Sequence, residues 1–265
     1  MDPLVERARL GDAVALEALL SEVAPAVHRF GLRMCRNPHD ADDVLQDTLL
    51  AITQHLGDFE GRSSLSSWVF ALTRSACTRR RRGIKNQPAL DVDAVPEQHD
   101  QRPSPEAHAE EREIAEALSR ALDALPAEHR EVILLRDIEG LTAPDAAASL
   151  GISVDALKSR LHRAREALRT AMKPLLEPAA PPPASGCPDL SLLWSRKLEG
   201  DLSQGDCATM EKHIAGCPSC GAACDALKLA LLACQRSSTS EVSPEVQARV
   251  KAAVRAWVAA RGSSA

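Results

Sequence analysis

The sequence predicts an all-α protein, and three observations carry that prediction. Hydrophobic residues make up 45% of the 265 positions, yet there is no Tyr and only three Phe and three Trp. The apolar content is therefore dominated by Ala and Leu, which favour helices. Strand formers never alternate over a convincing stretch, and no hairpin dipeptide lies between strand-like runs. Apolar residues recur instead at helical spacing, in blocks broken by acidic or Pro-rich stretches.

The first block, residues 1–85, holds two informative segments. DADDVLQDTLLAITQHL places Val44, Leu45, Leu49, Ile52 and Leu56 on one helix stripe and Asp43, Gln46, Asp47 and Leu50 on the other side. An exposed Leu among acids suits protein docking, and the same pattern also fits an ordinary amphipathic surface. FEGRSSLSSWVFALTRSACTRRRR then gives a Gly/Ser loop, a helix carrying Trp68 and Phe70, and an arginine block. Polar loop groups, an aromatic and a basic helix suit capture of unstacked bases from single-stranded DNA. Both aromatics also fit a core, the preferred place for Phe70.

Residues 86–110 are set as an acidic linker, without apolar period to about Pro105; helical patterning resumes near Glu106 and fills a second domain, 111–173. Within LPAEHREVILLRDIEGLTAPDAAASLGISVDALKSRLHRAREALRTAM, Gly140 sits where one helix ends. Thr142 can cap the next with Asp145 three residues on, and Gly151 marks the turn before a Ser153 cap. A short helix, a glycine-bearing turn and a longer basic helix make a helix-turn-helix. Val154, Leu157, Leu161, Ala164 and Leu168 form the inner stripe of that last helix. Asp155, Ser159, His162, Arg163 and Glu166 face away, flanked by Lys158 and Arg160, where they can reach a major groove.

A Pro-rich linker over 174–186 precedes a cysteine-rich segment, 187–236, and a tail, 237–265, with an amphipathic stretch. In HIAGCPSCGAAC, His213, Cys217, Cys220 and Cys224 follow at spacings of four, three and four, and Cys187, Cys207 and Cys234 lie nearby. Helical spacing puts His213 and Cys217 one turn apart, so both can point at one ion. Such density points to soft-metal binding or thiol redox chemistry. Cys35 and Cys77 of the first block read as core or surface thiols, and the other six histidines show no ligand spacing with any cysteine.

Net charge is −5, but it is segregated. Arg74 to Lys85 form one basic block, Lys158 to Lys173 another, and an acidic spacer separates them, as expected of two DNA contacts on one chain. No run of eighteen apolar residues occurs, and MDPLVERARLGD has charges where a signal peptide needs apolar residues. A cytoplasmic protein without membrane association is expected, where thiols stay reduced. An enzyme is not expected: no phosphate loop, nucleophile elbow or H-E-x-x-H zinc motif is present.

The three helical motifs resemble regions 2 and 4 of bacterial group IV, or extracytoplasmic function, sigma factors over about residues 10 to 172. The resemblance implies that Asp43, Gln46, Asp47 and Leu50 dock on the β′ clamp helices of core RNA polymerase. It implies −10 contacts by Phe59, Arg62, Ser63, Ser64, Trp68, Arg74 and Arg79. Lys158, Ser159, Arg160, His162 and Arg163 would contact the −35 element, with region 4 on the β flap. CPDLSLLWSRKLEGDLSQGDCATMEKHIAGCPSC resembles the zinc-binding anti-sigma fold, with Cys187 as fourth ligand beside His213, Cys217 and Cys220. Fusion to the sigma body resembles the CorE-like metal-responsive group, so no separate anti-sigma factor is expected to be required. Cys207, Cys224 and Cys234 remain as further candidate ligands. The absence of a C-x-C pair favours zinc or cadmium over copper.

Overall fold

The computed structural model describes residues 2–35, 37–84, 105–176 and 186–237, together with scattered positions between 244 and 256. The fold is all-α, and every regular element among the described residues is helical. The chain divides into two compact units, one carrying the first four helices and the other the metal-ligand candidates. Most of the acidic linker, the Pro-rich linker and the final amphipathic stretch lie outside the described residues.

The first unit contains α1 (Pro3–Arg9), α2 (Ala13–Cys35), α3 (Pro38–His55), a 3-10 turn at Leu56–Asp58 and α4 (Leu65–Ile84). The helix starts are written locally. The Asp12 carboxylate accepts from the backbone N–H groups of Val14 and Ala15, and Asn37 Oδ1 accepts from His39 N–H ahead of Pro38. Each side chain takes up donors that a helix start leaves without carbonyl partners. Leu20, Val27, Phe30, Val44, Ile52 and Phe70 are buried between α2, α3 and α4, with Phe30 and Phe70 ring centroids 5.5 Å apart.

The second unit begins with α5 (Pro105–Ala124), where helical patterning resumes in the sequence and a few residues ahead of the domain boundary at 111. It continues through α6 (Ala127–Ile133), a π turn at Leu134–Ile138, α7 (Ala143–Leu150) and α8 (Val154–Leu176). The helix-turn-helix punctuation is present as expected. Thr142 Oγ1 accepts from Asp145 N–H at 3.2 Å, Ser153 Oγ accepts from Ala156 N–H at 3.1 Å, and Gly140 and Gly151 take φ of 71° and 66°. Positive φ of this kind is why glycine occupies both helix ends. Leu157, Leu161, Ala164 and Leu168 are fully buried. Burying each leucine contributes about 2–3 kcal/mol.

Buried Arg130 supports the same unit by donating to the carbonyls of Leu122, Asp123 and Leu125 at 2.7, 2.9 and 2.9 Å. A cation there satisfies acceptors left open at the end of α5 and complements its dipole.

Three further helices complete the second unit: α9 (Leu190–Leu198), α10 (Gln204–Gly216) and α11 (Pro218–Ser237). Asp189 and Ser203 cap α9 and α10 through Leu192 N–H and Asp206 N–H. α9 and α11 both pack on α8, and α11 also packs on α5.

Candidate functional site

In the first unit the structure separates exposed residues from those that hold the fold. Gln46 and Leu50 are exposed on α3, and Asp43 and Asp47 lie half-buried beside them. Arg80 of α4 pairs with Asp43 at 2.8 Å, and Arg79 approaches Asp47 at 4.0 Å. The acidic stripe therefore shares its face with the arginine helix. Arg62 and Ser64 are exposed, Ser63 and Arg74 half-buried. Arg62 donates to Glu60 at 2.5 Å.

Two of the residues expected at the −10 element have partners inside the protein. Phe59 is buried, 6% exposed, with its ring 5.2 Å from Trp68, because the 3-10 turn directs it into the core. It supports Trp68, which is half-buried against the same core. Ser64 Oγ accepts from Ser67 N–H, so that hydroxyl serves the start of α4. Phe70 is core, as expected. Cys35 and Cys77, spaced 42 residues apart in sequence, have sulfurs 3.7 Å apart.

On α8, Ser159 and Arg163 are exposed. Arg160 lies near Glu128 at 3.8 Å, and His162 is half-buried with its Nδ1 unpartnered. Arg165 is 2% exposed and cannot belong to an exposed basic face. It donates to Asp137 from Nε at 3.0 Å and Nη2 at 2.6 Å, to Ser195 Oγ at 3.0 Å and to Glu199 at 3.0 Å. Burial pushes Asp137 above the ordinary carboxylate range despite this pairing. For Arg165 the opposing pull of burial is outweighed by the bonds and charges of Asp137 and Glu199, which raise its pKa. Arg136 joins the group through Glu199 at 3.1 Å, and Lys158 Nζ meets Asp201 at 2.6 Å.

The metal-ligand candidates converge. The ligand atoms of Cys187, His213, Cys217 and Cys220 all lie within 4.8 Å of one another. Cys187 and Cys217 sulfurs are 3.8 Å apart, and His213 Nε2 is 3.2 Å from Cys220 Sγ. Zinc–sulfur bonds of about 2.3 Å in a tetrahedron give a sulfur–sulfur edge of about 3.8 Å, so the donor set fits Zn²⁺. Cadmium is softer and takes the same donors.

The route to this geometry differs from the expected one. α10 stops at Gly216, Cys217 adopts extended dihedrals, and α11 departs at 113°. His213 thus comes from the end of one helix, Cys217 from the break, Cys220 from the first turn of the next and Cys187 from the loop before α9. Burial, followed by its sulfur neighbours Cys187 and Cys217, pushes the Cys220 thiol up to about 12. Bonds from Cys220 lead the effects that pull Cys217 below the ordinary thiol range. Crowded sulfurs resist ionising together, and a divalent cation removes that conflict.

Cys207, Cys224 and Cys234 do not join this group. Cys224 and Cys234 are buried on α11, and Cys207 is half-buried on α10. Burial, opposed by Lys228, raises the Cys224 pKa, as for an inert core thiol. Trp194 was absent from the sequence reading, yet Lys197 and Lys228 stand 5.1 and 5.5 Å from its ring. Among the described residues no single helix is long and apolar enough to cross a membrane.

Comparison with known proteins places these features. Residues 19–86 match the Sigma-70 region 2 family, residues 115–168 the Sigma-70 region 4 family, and residues 187–221 a zinc-finger family. The ECF RNA polymerase sigma factor SigM of Mycobacterium tuberculosis is 32% identical over 158 residues, covering 60% of this chain and 77% of that protein. SigE of Mycolicibacterium smegmatis is 32% identical over 166 residues, 60% of this chain and 63% of the relative's length. Among solved structures, the sigma factor RpoE in complex with the anti-sigma factor NepR from Bartonella quintana aligns at 29% identity with a TM-score of 0.49. That alignment covers 59% of this chain and 95% of that one. The chain belongs to the extracytoplasmic function sigma factors of RNA polymerase, with a zinc-finger domain fused after region 4.

Proposed function

We propose that this protein directs core RNA polymerase to promoters and that metal held by its C-terminal domain governs that activity. Zinc or cadmium would be held by Cys187, His213, Cys217 and Cys220. The observation that carries the reading is the convergence of those four ligands in a domain whose α9 and α11 pack on the helix-turn-helix. A metal acts on such an arrangement through its different affinity for the docked and undocked states.

In this reading Asp43, Gln46, Asp47 and Leu50 dock on the polymerase clamp, and Leu50, 43% exposed, supplies an apolar anchor. Arg62, Ser63, Ser64, Trp68, Arg74 and Arg79 meet the −10 element, with Phe59 supporting Trp68 from beneath. Lys158, Ser159, Arg160, His162 and Arg163 meet the −35 element, and region 4 meets the β flap. The protein works in the cytoplasm.

The test is transcription by core polymerase reconstituted with the full chain on a promoter library, with chelator, zinc or cadmium. Promoter-dependent transcripts that change in amount with metal are expected. Equal transcription in all three conditions would overturn metal control, and failure to bind core would favour a stand-alone DNA-binding regulator. Redox control is the second reading, favoured by the 3.8 Å approach of the Cys187 and Cys217 sulfurs. A response to peroxide that persists at saturating zinc would decide for it.

A further inference from the structure

The tail lies along α8 with a defined direction. Ser191 Oγ hydrogen-bonds Glu166, Ser195 Oγ accepts from Arg165, Glu199 pairs with Arg165 and Arg136, and Asp201 pairs with Lys158. As the tail numbering rises from 191 to 201, the partner numbering on α8 falls from 166 to 158. α9 therefore runs antiparallel along one flank of the recognition helix. Its C-terminal turn lies beside the N-terminal half of that helix, the half a helix-turn-helix inserts into DNA.

A local device aims both carboxylates. Gly200 takes φ of 73°, and Asp201 N–H reaches Arg196 O while Gly200 N–H reaches Lys197 O. This doubly bonded helix end needs a residue free of Cβ strain at Gly200 and sets Glu199 and Asp201 on either side of the turn. Glu199 is the anchor, with its side chain 2% exposed against Arg165 at 2%. Asp201 is a surface cover on Lys158, their side chains 37% and 28% exposed.

We propose that the Glu199–Gly200–Asp201 turn is an intramolecular plug on region 4, so that docking of α9 and insertion of α8 into DNA exclude one another. Space and charge both support it. A major groove about 12 Å wide admits one helix of about 10–12 Å diameter, so a second helix packed alongside at about 8–10 Å lies over the flanking phosphates, where the Asp201 carboxylate meets like charge. Asp201 also occupies the ammonium group that a phosphate would use. The plug deepens the metal reading: Cys187 precedes α9 and His213 ends α10, so the ligands bracket the turn.

The test uses the full zinc-loaded chain with a 30-base-pair random-sequence duplex, measuring affinity against salt together with amide exchange of α9. Neutralising the turn with Glu199→Gln and Asp201→Asn should tighten binding and steepen the logarithmic salt slope by about 0.9, the equivalent of one recovered phosphate contact. In a Lys158→Ala background, Asp201→Asn should not steepen the slope, which separates the pair from general charge effects. In the unsubstituted chain, DNA should remove exchange protection from α9. Gly200→Ala, which changes no charge, should loosen α9 and tighten DNA binding in the same direction. Full α9 protection in the DNA complex, or a Lys158-independent effect of Asp201→Asn, would overturn the plug. Zinc content of each variant confirms that the metal site persists. A chain that meets these expectations but transcribes identically with and without metal would sink metal control and leave the plug standing.

Discussion

The charged faces of region 2 and region 4 are built from the same residue types and differ in what surrounds them. On α3 and α4, Asp43 meets Arg80 with side chains 44% and 38% exposed. On α8, Arg165 meets Asp137 and Glu199 with all three side chains under 10% exposed. Water screens the first group, so exchanging its partners costs little. The second is desolvated, and removing a partner exposes the full cost of a buried charge. Region 2 thus keeps its charged face in water, whereas region 4 has part of its recognition helix committed to the tail.

The largest expected effect tests whether the tail depends on its ligands. Chelation, or Cys220→Ser, should unfold the tail, because ligand binding energies in small zinc domains are on the order of 10 kcal/mol. Circular dichroism and zinc release check it; a tail that keeps its helices without metal would mean that packing on α8 alone holds it. Acidification should release zinc as protons compete for the thiolates and imidazole.

Next in size is the contrast between the two arginines. Arg165→Ala should cost about 3–5 kcal/mol in thermal or urea unfolding of the second unit, since it leaves Asp137 and Glu199 buried together. Arg80→Ala should cost about 0–1 kcal/mol. Equal effects would erase the distinction between screened and buried charges. Thr142→Ala and Ser153→Ala should fall between, at about 1 kcal/mol each, because each removes a helix cap.

The smallest expected effect is pH dependence at Glu166. Burial alone would raise its pKa, but bonds from Arg169 and Ser191 and the charges of Arg169 and His162 outweigh it and hold the carboxyl below its ordinary value. A depressed acid contributes stability above its unfolded value, and that contribution disappears as pH falls through the folded one. Docking of α9 should weaken in that acidic window, and Glu166→Gln should flatten the profile measured by tail exchange.

The legible parts of the molecule were those set by neighbours in sequence. Thr142, Gly140, Gly151 and Ser153 announced the helix-turn-helix because caps and positive-φ turns are local chemistry. The spacing of His213, Cys217 and Cys220 announced a cluster of candidate metal ligands. Its geometry was not legible, because the period-based reading continued one helix where the chain breaks at Cys217. Phe59 looked like a loop aromatic since nothing local reveals that a 3-10 turn points it inward. Arg165 read as one more charge in a basic run; its partners are 28 and 34 residues away. Pairings over such distances are decided by packing, and only the fold reveals that an arginine in a basic helix faces the protein.

The central claim is that a metal-held tail covers the recognition helix. Amide exchange across Leu157 to Arg169 in the full chain, with zinc and after chelation, tests it most directly. The account predicts strong protection with zinc and a marked loss on chelation, confined to α8 and the tail while α3 and α4 keep their rates; unchanged protection of α8 would contradict it.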